Sequence, residues 1–212
     1  MPINFEEMSL LLQQGRAPAL KEKVKEALEA GISPQEVLEK ALLPGMDVIG
    51  GKFKENKVFI PEVMLAARAM NGAMDVLKPL MAAGEEDGKG TVVIGTVKGD
   101  MHDVGKNLCK MMMEGKGLKV IDLGVNVPPE KYIAAALENK ARVIACSALL
   151  TTTMREMAKV VEAVKEAGLS GQVKIMIGGA PVTQSFCDSI GADCYTADAA
   201  SCAEAAYGFC CA

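Results

Sequence analysis

The stretch "TVVIGTVKGDMHDVGKN", Thr91 to Asn107, decides the fold. Its first seven residues are an unalternating run of β-branched and apolar residues with one glycine, the pattern of a strand buried on both faces. A polar, glycine-containing turn follows, and then the start of a helical pattern. Strand, turn and helix in that order form the first half of a parallel βαβ unit. The turn also holds the only histidine of the 212 residues, His102, between Asp100 and Asp103.

The same grammar repeats downstream. "LKVIDLG" (118–124), "ARVIACSA" (141–148) and "VKIMIGG" (173–179) read as further buried strands, with a weaker one in "ADCYTA" (192–197). Helical patterns near 103–116, 129–139, 153–168, 182–190 and 198–209 separate them. Alternation of this kind predicts a doubly wound parallel sheet with helices on both faces, Rossmann- or flavodoxin-like, over 89–212.

Upstream of the polar segment "AAGEEDGKG" (82–90), strand signals are almost absent. Amphipathic stretches near 4–14 and 18–30 precede "ISPQEVLEKALLPGMDVIGGKF" (32–53), which opens on Ser33 as N-cap, Pro34 at the first helical position and Glu36 three residues after the cap. Val63, Met64, Ala67, Met70, Met74, Leu77 and Met81 then form one apolar stripe behind Pro61. Four helices over 1–88 suffice for a small antiparallel bundle.

Half the residues are apolar and the net charge is −4, with Lys and Arg dispersed, so neither nucleic acid nor an anionic membrane is expected as a partner. The absence of an 18-residue apolar run and of a basic n-region at the start leads to the expectation of a cytoplasmic protein. Seven cysteines with no C-x-x-C pair and a single histidine leave zinc without a ligand set, and reduced thiols are expected. Cys109 and Cys146 read as core residues, Cys210 and Cys211 as part of a frayed tail, and the 14 methionines as core filling.

Ligands of such sheets bind beyond the carboxyl ends of the strands. Asp100, His102 and Gly105 follow strand one, Ser147 and Leu149 close strand three, and Gly178 and Gly179 close strand four, so all belong to one rim. The first turn has neither G-x-G-x-x-G nor G-x-x-x-x-G-K-[ST], which argues against dinucleotide and P-loop sites. Ser147, His102 and Asp100 have the residue types of a hydrolytic triad, but Ser147 is not on a G-x-S-x-G elbow. The alternative is His102 as a metal ligand with Asp100 and Ser147 behind it, since a ligating imidazole gives its other N–H to a carboxylate. One histidine cannot hold a bare ion, but it can complete a metal already held by a macrocycle.

Asp100-x-His102-x-x-Gly105, Ser147-x-Leu149 and Gly178-Gly179 resemble the D-x-H-x-x-G, S-x-L and G-G pattern of cobalamin-binding domains. "GGKFKENKVFIPEVMLAARAM" (50–70) is similar to the helical cap that precedes this domain in methionine synthase and in the corrinoid proteins of anaerobic methyltransferase systems. The resemblance implies a corrinoid methyl carrier of one-carbon metabolism, not an enzyme by itself, holding cobalamin or a related corrinoid that cycles through methylcobalamin. It implies His102 as the lower axial ligand of cobalt, Asp100 and Ser147 carrying a linked proton, and Gly105 turning the backbone tightly beneath the ring. Leu149, Gly178 and Gly179 would line the nucleotide-tail slot, with Ser147 also within reach of the tail. Phe53, Ile60 and Val63 would lie over the upper face of the corrin, although bundle core is a rival reading for these three. Its implied partners are a substrate:corrinoid methyltransferase, a methylcorrinoid:acceptor methyltransferase acting on a pterin or thiol, and a reductive activating protein. Methylamines, betaines, methoxylated aromatics and methanol are all donors consistent with this design. A light-responsive regulator or a corrinoid storage protein is the alternative.

Overall fold

The computed structural model describes residues 3–81 and 89–211. Most of the segment expected as a linker at 82–90, and with it the expected boundary at 88/89, lies outside them. The chain divides into two compact units, Met1–Glu86 with Gly115–Gly117 and Asp87–Glu114 with Leu118–Ala212.

The first unit is helical: α1 (Phe5–Gln13), α2 (Ala17–Glu29), α3 (Pro34–Val37), a π-helical turn (Leu38–Leu42), α4 (Leu43–Lys54) and α5 (Ile60–Leu77), closed by a 3₁₀ turn (Lys78–Leu80). The Ser33 hydroxyl accepts from the Glu36 N–H at 3.1 Å, the cap read from the sequence. The helix expected over 32–53 is interrupted, and Pro44 is the reason. Proline has no N–H to continue the ladder and its ring crowds the carbonyl one turn back, so the backbone widens into a π turn just before it. Pro79 likewise ends α5 before the apolar stripe reaches Met81. Leu12, Leu20, Val24, Leu42, Ile49, Ala66, Ala73 and Leu77 are fully buried and make up the bundle interior.

The second unit alternates strand and helix: β1 (Thr91–Thr96), α6 (Val104–Gly115), β2 (Lys119–Asp122), α7 (Pro129–Glu138), β3 (Val143–Ser147), α8 (Met154–Glu166), β4 (Lys174–Gly178), α9 (Gln184–Ile190), β5 (Cys194–Tyr195) and α10 (Ala199–Cys211). All strand pairs are parallel and the order is β2-β1-β3-β4-β5. The doubly wound α/β fold expected from the sequence is therefore what forms. Val92, Val93, Val143, Ile144, Met176 and Ile177 are buried on both sheet faces, which explains the unalternating runs.

The direction of winding reverses between β1 and β3, and this topological switch point is where such sheets open a crevice. Register there pairs Thr96 with Ser147 and Ser147 with Gly178, so three strands end level. One expectation fails at the end of the chain. Cys210 and Cys211 belong to the ordered helix α10 instead of a frayed tail, and Cys210 packs so closely on Gly90 that a Cβ there would lie 2.5 Å from its own. Burial pushes the Cys210 thiol up to about 11. All seven cysteines are free. Among the described residues no helix is long and apolar enough to cross a membrane.

Candidate functional site

The loop after β1 is tied down by backbone and side chain alike. Gly99, at φ +82°, turns the chain in a conformation that glycine adopts without strain. Its N–H donates to Asn126 Oδ1 at 2.8 Å, and the Asn126 N–H donates in turn to the Asp100 carbonyl at 2.9 Å. Thr96 Oγ1 donates to the His102 carbonyl at 2.8 Å. Asp100 is thereby carried under the rim, where it is fully buried.

Both oxygens of the Asp100 carboxylate are occupied. Oδ1 lies 2.9 Å from His102 Nδ1 and accepts from the His102 backbone N–H at 3.1 Å. Oδ2 accepts from the N–H groups of Leu149 at 2.8 Å and Leu150 at 3.2 Å, and lies 2.8 Å from Thr153 Oγ1. The Thr153 hydroxyl is also 2.8 Å from the Leu150 carbonyl, but its single proton goes to the charged acceptor, where the bond is stronger. Burial by itself would raise the Asp100 carboxyl. The donors from Leu149, His102 and Thr153 outweigh burial and hold it well below the usual carboxylate range.

An ionised carboxylate only accepts, so His102 Nδ1 must carry the proton of the 2.9 Å bond. The lone pair of the neutral ring is then on Nε2, and the side chain is 51 % exposed. The result is an outward-facing imidazole nitrogen with its tautomer set from behind. Around it Met101, Val104, Leu149 and Leu150 are exposed.

The other expected residues fall on the same rim with different roles. Ser147 ends β3 beside Thr96 and Gly178, but its hydroxyl is not among the partners of Asp100 or His102. Thr153 occupies the relay position expected of Ser147, and the serine–histidine bond needed by the hydrolytic reading is not formed. Gly105 is also revised. It stands in the first turn of α6 with ordinary helical φ, so it makes no tight turn; Gly99 does. A Cβ at Gly105 would meet nothing within 4 Å, leaving open space next to His102. Gly179, at φ +132°, approaches β3 so closely that a Cβ would fall 1.9 Å from the Ala148 carbonyl oxygen, and at Gly178 a Cβ would lie 3.3 Å from the Thr196 carbonyl. In the helical unit, Phe53 is half-buried, Ile60 is exposed and Val63 is fully buried. Phe53 and Ile60 thus keep surface to offer a ligand, whereas Val63 has none.

Two elements of the site went unread in the sequence. Thr153 is the third of three consecutive threonines, and nothing in that run distinguishes it. Lys106, next to Gly105, is buried and sends Nζ to both Asp122 oxygens and to Asn107 Oδ1, each at 2.7 Å. Burial would raise the Asp122 carboxyl, but the Lys106 ammonium and the Gly124 N–H hold it below its ordinary range. This pair joins the first turn of α6 to the end of β2. Asp122 was legible only as the polar residue in an apolar strand.

Models of two B12 binding domains match the chain, one over residues 90–207 and the other over 5–78. The chain is 48 % identical over 176 residues to trimethylamine corrinoid protein 1 of Methanosarcina acetivorans, covering 82 % of each chain. It is 45 % identical over 182 residues to dimethylamine corrinoid protein 3 of the same organism, covering 84 % of this chain and 85 % of that one. Among solved structures, the methanol:cobalamin methyltransferase complex MtaBC of Methanosarcina barkeri matches with a TM-score of 0.87 and 31 % identity, over 96 % of this chain and 78 % of that one.

Proposed function

The chain belongs to the family of two-domain B12-binding corrinoid proteins, and from that premise we propose that it carries methyl groups between two methyltransferases, with His102 as the protein ligand to cobalt. The observation that carries the assignment is the His102–Asp100–Thr153 chain. It fixes the Nδ1–H tautomer and leaves Nε2 on a half-exposed ring at the switch point of the sheet. The residues fit a corrinoid: one nitrogen donor with its tautomer held, open space at Gly105, and exposed apolar side chains next to both.

When bound, the corrinoid supplies the nucleophilic cobalt that takes up and releases the methyl group. The protein's own task is to hold a proton on the ring nitrogen behind the ligand. With Nδ1–H donated to ionised Asp100, His102 would present Nε2 as the ligating nitrogen. The Asp100 carboxylate, anchored by Leu149, Leu150 and Thr153, would hold the ring in one orientation toward the cofactor. Met101, Val104, Leu149 and Leu150 give the rim an apolar border that limits water around the ligand. For Gly178 and Gly179 the tail-binding role rests on the resemblance; in the fold they let the chain pack directly on the Ala148 and Thr196 carbonyls, with Ser147 paired to Gly178. For Phe53, Ile60 and Val63 the upper-face role rests on the resemblance of the cap, and their exposure favours Phe53 and Ile60 over Val63.

The donor in this reading is a methylamine. The relatives named for trimethylamine and dimethylamine are about equally similar, which supports the methylamine class without choosing a member. The partners are a methylamine-specific methyltransferase, an acceptor methyltransferase for a pterin or thiol, and a reductive activating protein; the chain alone has no turnover.

Anaerobic reconstitution with hydroxocobalamin, reduction to cobalt(II) and electron paramagnetic resonance on ¹⁵N-histidine-labelled protein tests the ligation. Because His102 is the only imidazole, a label-dependent axial nitrogen splitting is expected, and it should vanish in His102→Ala. Tight binding with no effect of the label would refute the ligand assignment. Stoichiometric methyl uptake from a trimethylamine or dimethylamine methyltransferase tests the carrier role.

A further inference from the structure

The corner through which the chain enters the ligand loop is a turn with two accessible forms. Over Val97 to Asp100 the Asp100 N–H donates to the Val97 carbonyl at 3.1 Å, and Gly99, in the third position, has φ +82°. These are the marks of a type II turn. The type I form differs in the direction of the peptide between Lys98 and Gly99 and in the sign of φ at Gly99, and glycine accepts either sign. Gly99 by itself therefore does not choose between them. The choice is made by one side chain: Asn126 Oδ1 accepts from the Gly99 N–H at 2.8 Å, and that N–H belongs to the peptide whose direction distinguishes the two forms.

Asn126 has no other evident reason for its place. It is exposed, so it fills no core, and it stands at φ +54°, in the left-handed region that residues other than glycine seldom adopt. In that conformation its backbone N–H donates to the Asp100 carbonyl at 2.9 Å while its side chain takes Gly99. Asparagine combines the two requirements, since it tolerates the left-handed region and its short side chain carries an acceptor. The residue is itself fixed to the sheet. The Gly124 carbonyl accepts from the Thr96 N–H at 2.9 Å, and the Val127 N–H donates to the Thr96 carbonyl at 2.9 Å. Thr96 ends β1, and its hydroxyl holds the His102 carbonyl.

We propose that Asn126 is a positioning residue for cobalt ligation: from its anchorage on the end of β1 it locks the Lys98–Gly99 peptide in the type II form and grips the Asp100 carbonyl, so that His102 is presented in one orientation. The inference rests on the reading of His102 as the cobalt ligand. Without the Asn126 side chain the peptide can turn over, and the direction in which the chain enters Asp100 changes with it. The carboxylate that fixes the ring then divides its time between two placements.

The test compares Asn126→Gly, which keeps the left-handed backbone and removes the acceptor, with Asn126→Asp, which keeps both. In the ligand-free, full-length protein, hydrogen-exchange protection of the Gly99 amide should fall about three- to tenfold in Asn126→Gly, the worth of one neutral hydrogen bond, and return in Asn126→Asp. After reconstitution with hydroxocobalamin and reduction to cobalt(II), part of the resonance of ¹⁵N-histidine-labelled Asn126→Gly should lose the label-dependent axial splitting, and Asn126→Asp should regain it. A full wild-type splitting in Asn126→Gly, whatever its urea midpoint, would overturn the proposal by leaving Asn126 a support of the fold alone. Unaltered Gly99 protection in Asn126→Gly, or no recovery in Asn126→Asp, would overturn it as well. Should Asn126→Gly fail to fold, Asn126→Ala removes the same acceptor and is read against Asn126→Asp in the same way. A wild-type protein without the axial splitting would overturn the ligand reading itself, an outcome distinct from a wild-type splitting that Asn126→Gly leaves intact.

Discussion

Asp100→Asn exchanges a single heavy atom and should change which nitrogen of His102 carries the proton. The wild-type carboxylate accepts five hydrogen bonds, two on Oδ1 and three on Oδ2. An asparagine offers one oxygen and one NH₂. The oxygen is best placed toward Leu149, Leu150 and Thr153, where three donors converge, so the NH₂ faces the His102 backbone N–H and Nδ1. The backbone N–H then loses its acceptor, and the ring escapes the clash only by moving its proton to Nε2. With hydrogen bonds to a charged group worth about 1.5–3 kcal/mol each, and one of the two recovered by the new tautomer, the expected loss is about 2–4 kcal/mol. The assay is direct because there is one imidazole: long-range ¹H–¹⁵N correlation of the ligand-free protein reports which ring nitrogen is protonated, and urea unfolding reports stability. The wild type should show a protonated Nδ1 and the variant a protonated Nε2, with corrinoid ligation by nitrogen weakened accordingly. A variant that kept the Nδ1–H tautomer and lost less than about 1 kcal/mol would refute the argument that the buried carboxylate sets the ring.

Other perturbations probe the frame around the site. Gly179→Ala combines a positive φ with a Cβ 1.9 Å from the Ala148 carbonyl, and should cost about 3 kcal/mol or more in urea unfolding while shifting corrinoid affinity. Tyr132 is fully buried beneath Gly95, and its hydroxyl meets only the weakly bonding Cys146 sulfur, so Tyr132→Phe should change stability by about 1 kcal/mol at most in thermal unfolding. The Asp122 carboxyl lies below its ordinary range in the folded state, so its contribution to stability is present above the unfolded pKa and is lost as pH falls through the folded one. Asp122→Asn should therefore flatten the fall of the urea midpoint between about pH 5 and pH 2.

How far the fold can be read from the sequence follows from the period of its elements. Unalternating runs at β1, β3 and β4 are enough to predict a parallel sheet, because only a strand covered on both faces can be apolar at every position. The rim follows from the same logic, since βαβ winding puts every strand's carboxyl end on one side. The π turn before Pro44 was not legible as such. A proline inside an amphipathic pattern announces a disturbance of the ladder but not the form it takes.

By itself, then, the sequence determined which residues could form the site: one histidine, an aspartate two residues before it, and glycines at the strand ends. Only the tertiary structure decided the bonds among them. Asp100 meets Thr153 because the loop after β3 brings the Leu149 and Leu150 N–H groups and the Thr153 hydroxyl together over the buried carboxylate. The same holds for Lys106 and Asp122, separated in sequence by most of α6 and joined only because β2 lies next to β1. Residue types and local periods are properties of the chain. Which donor reaches which acceptor depends on distances set by packing, and no local pattern encodes them.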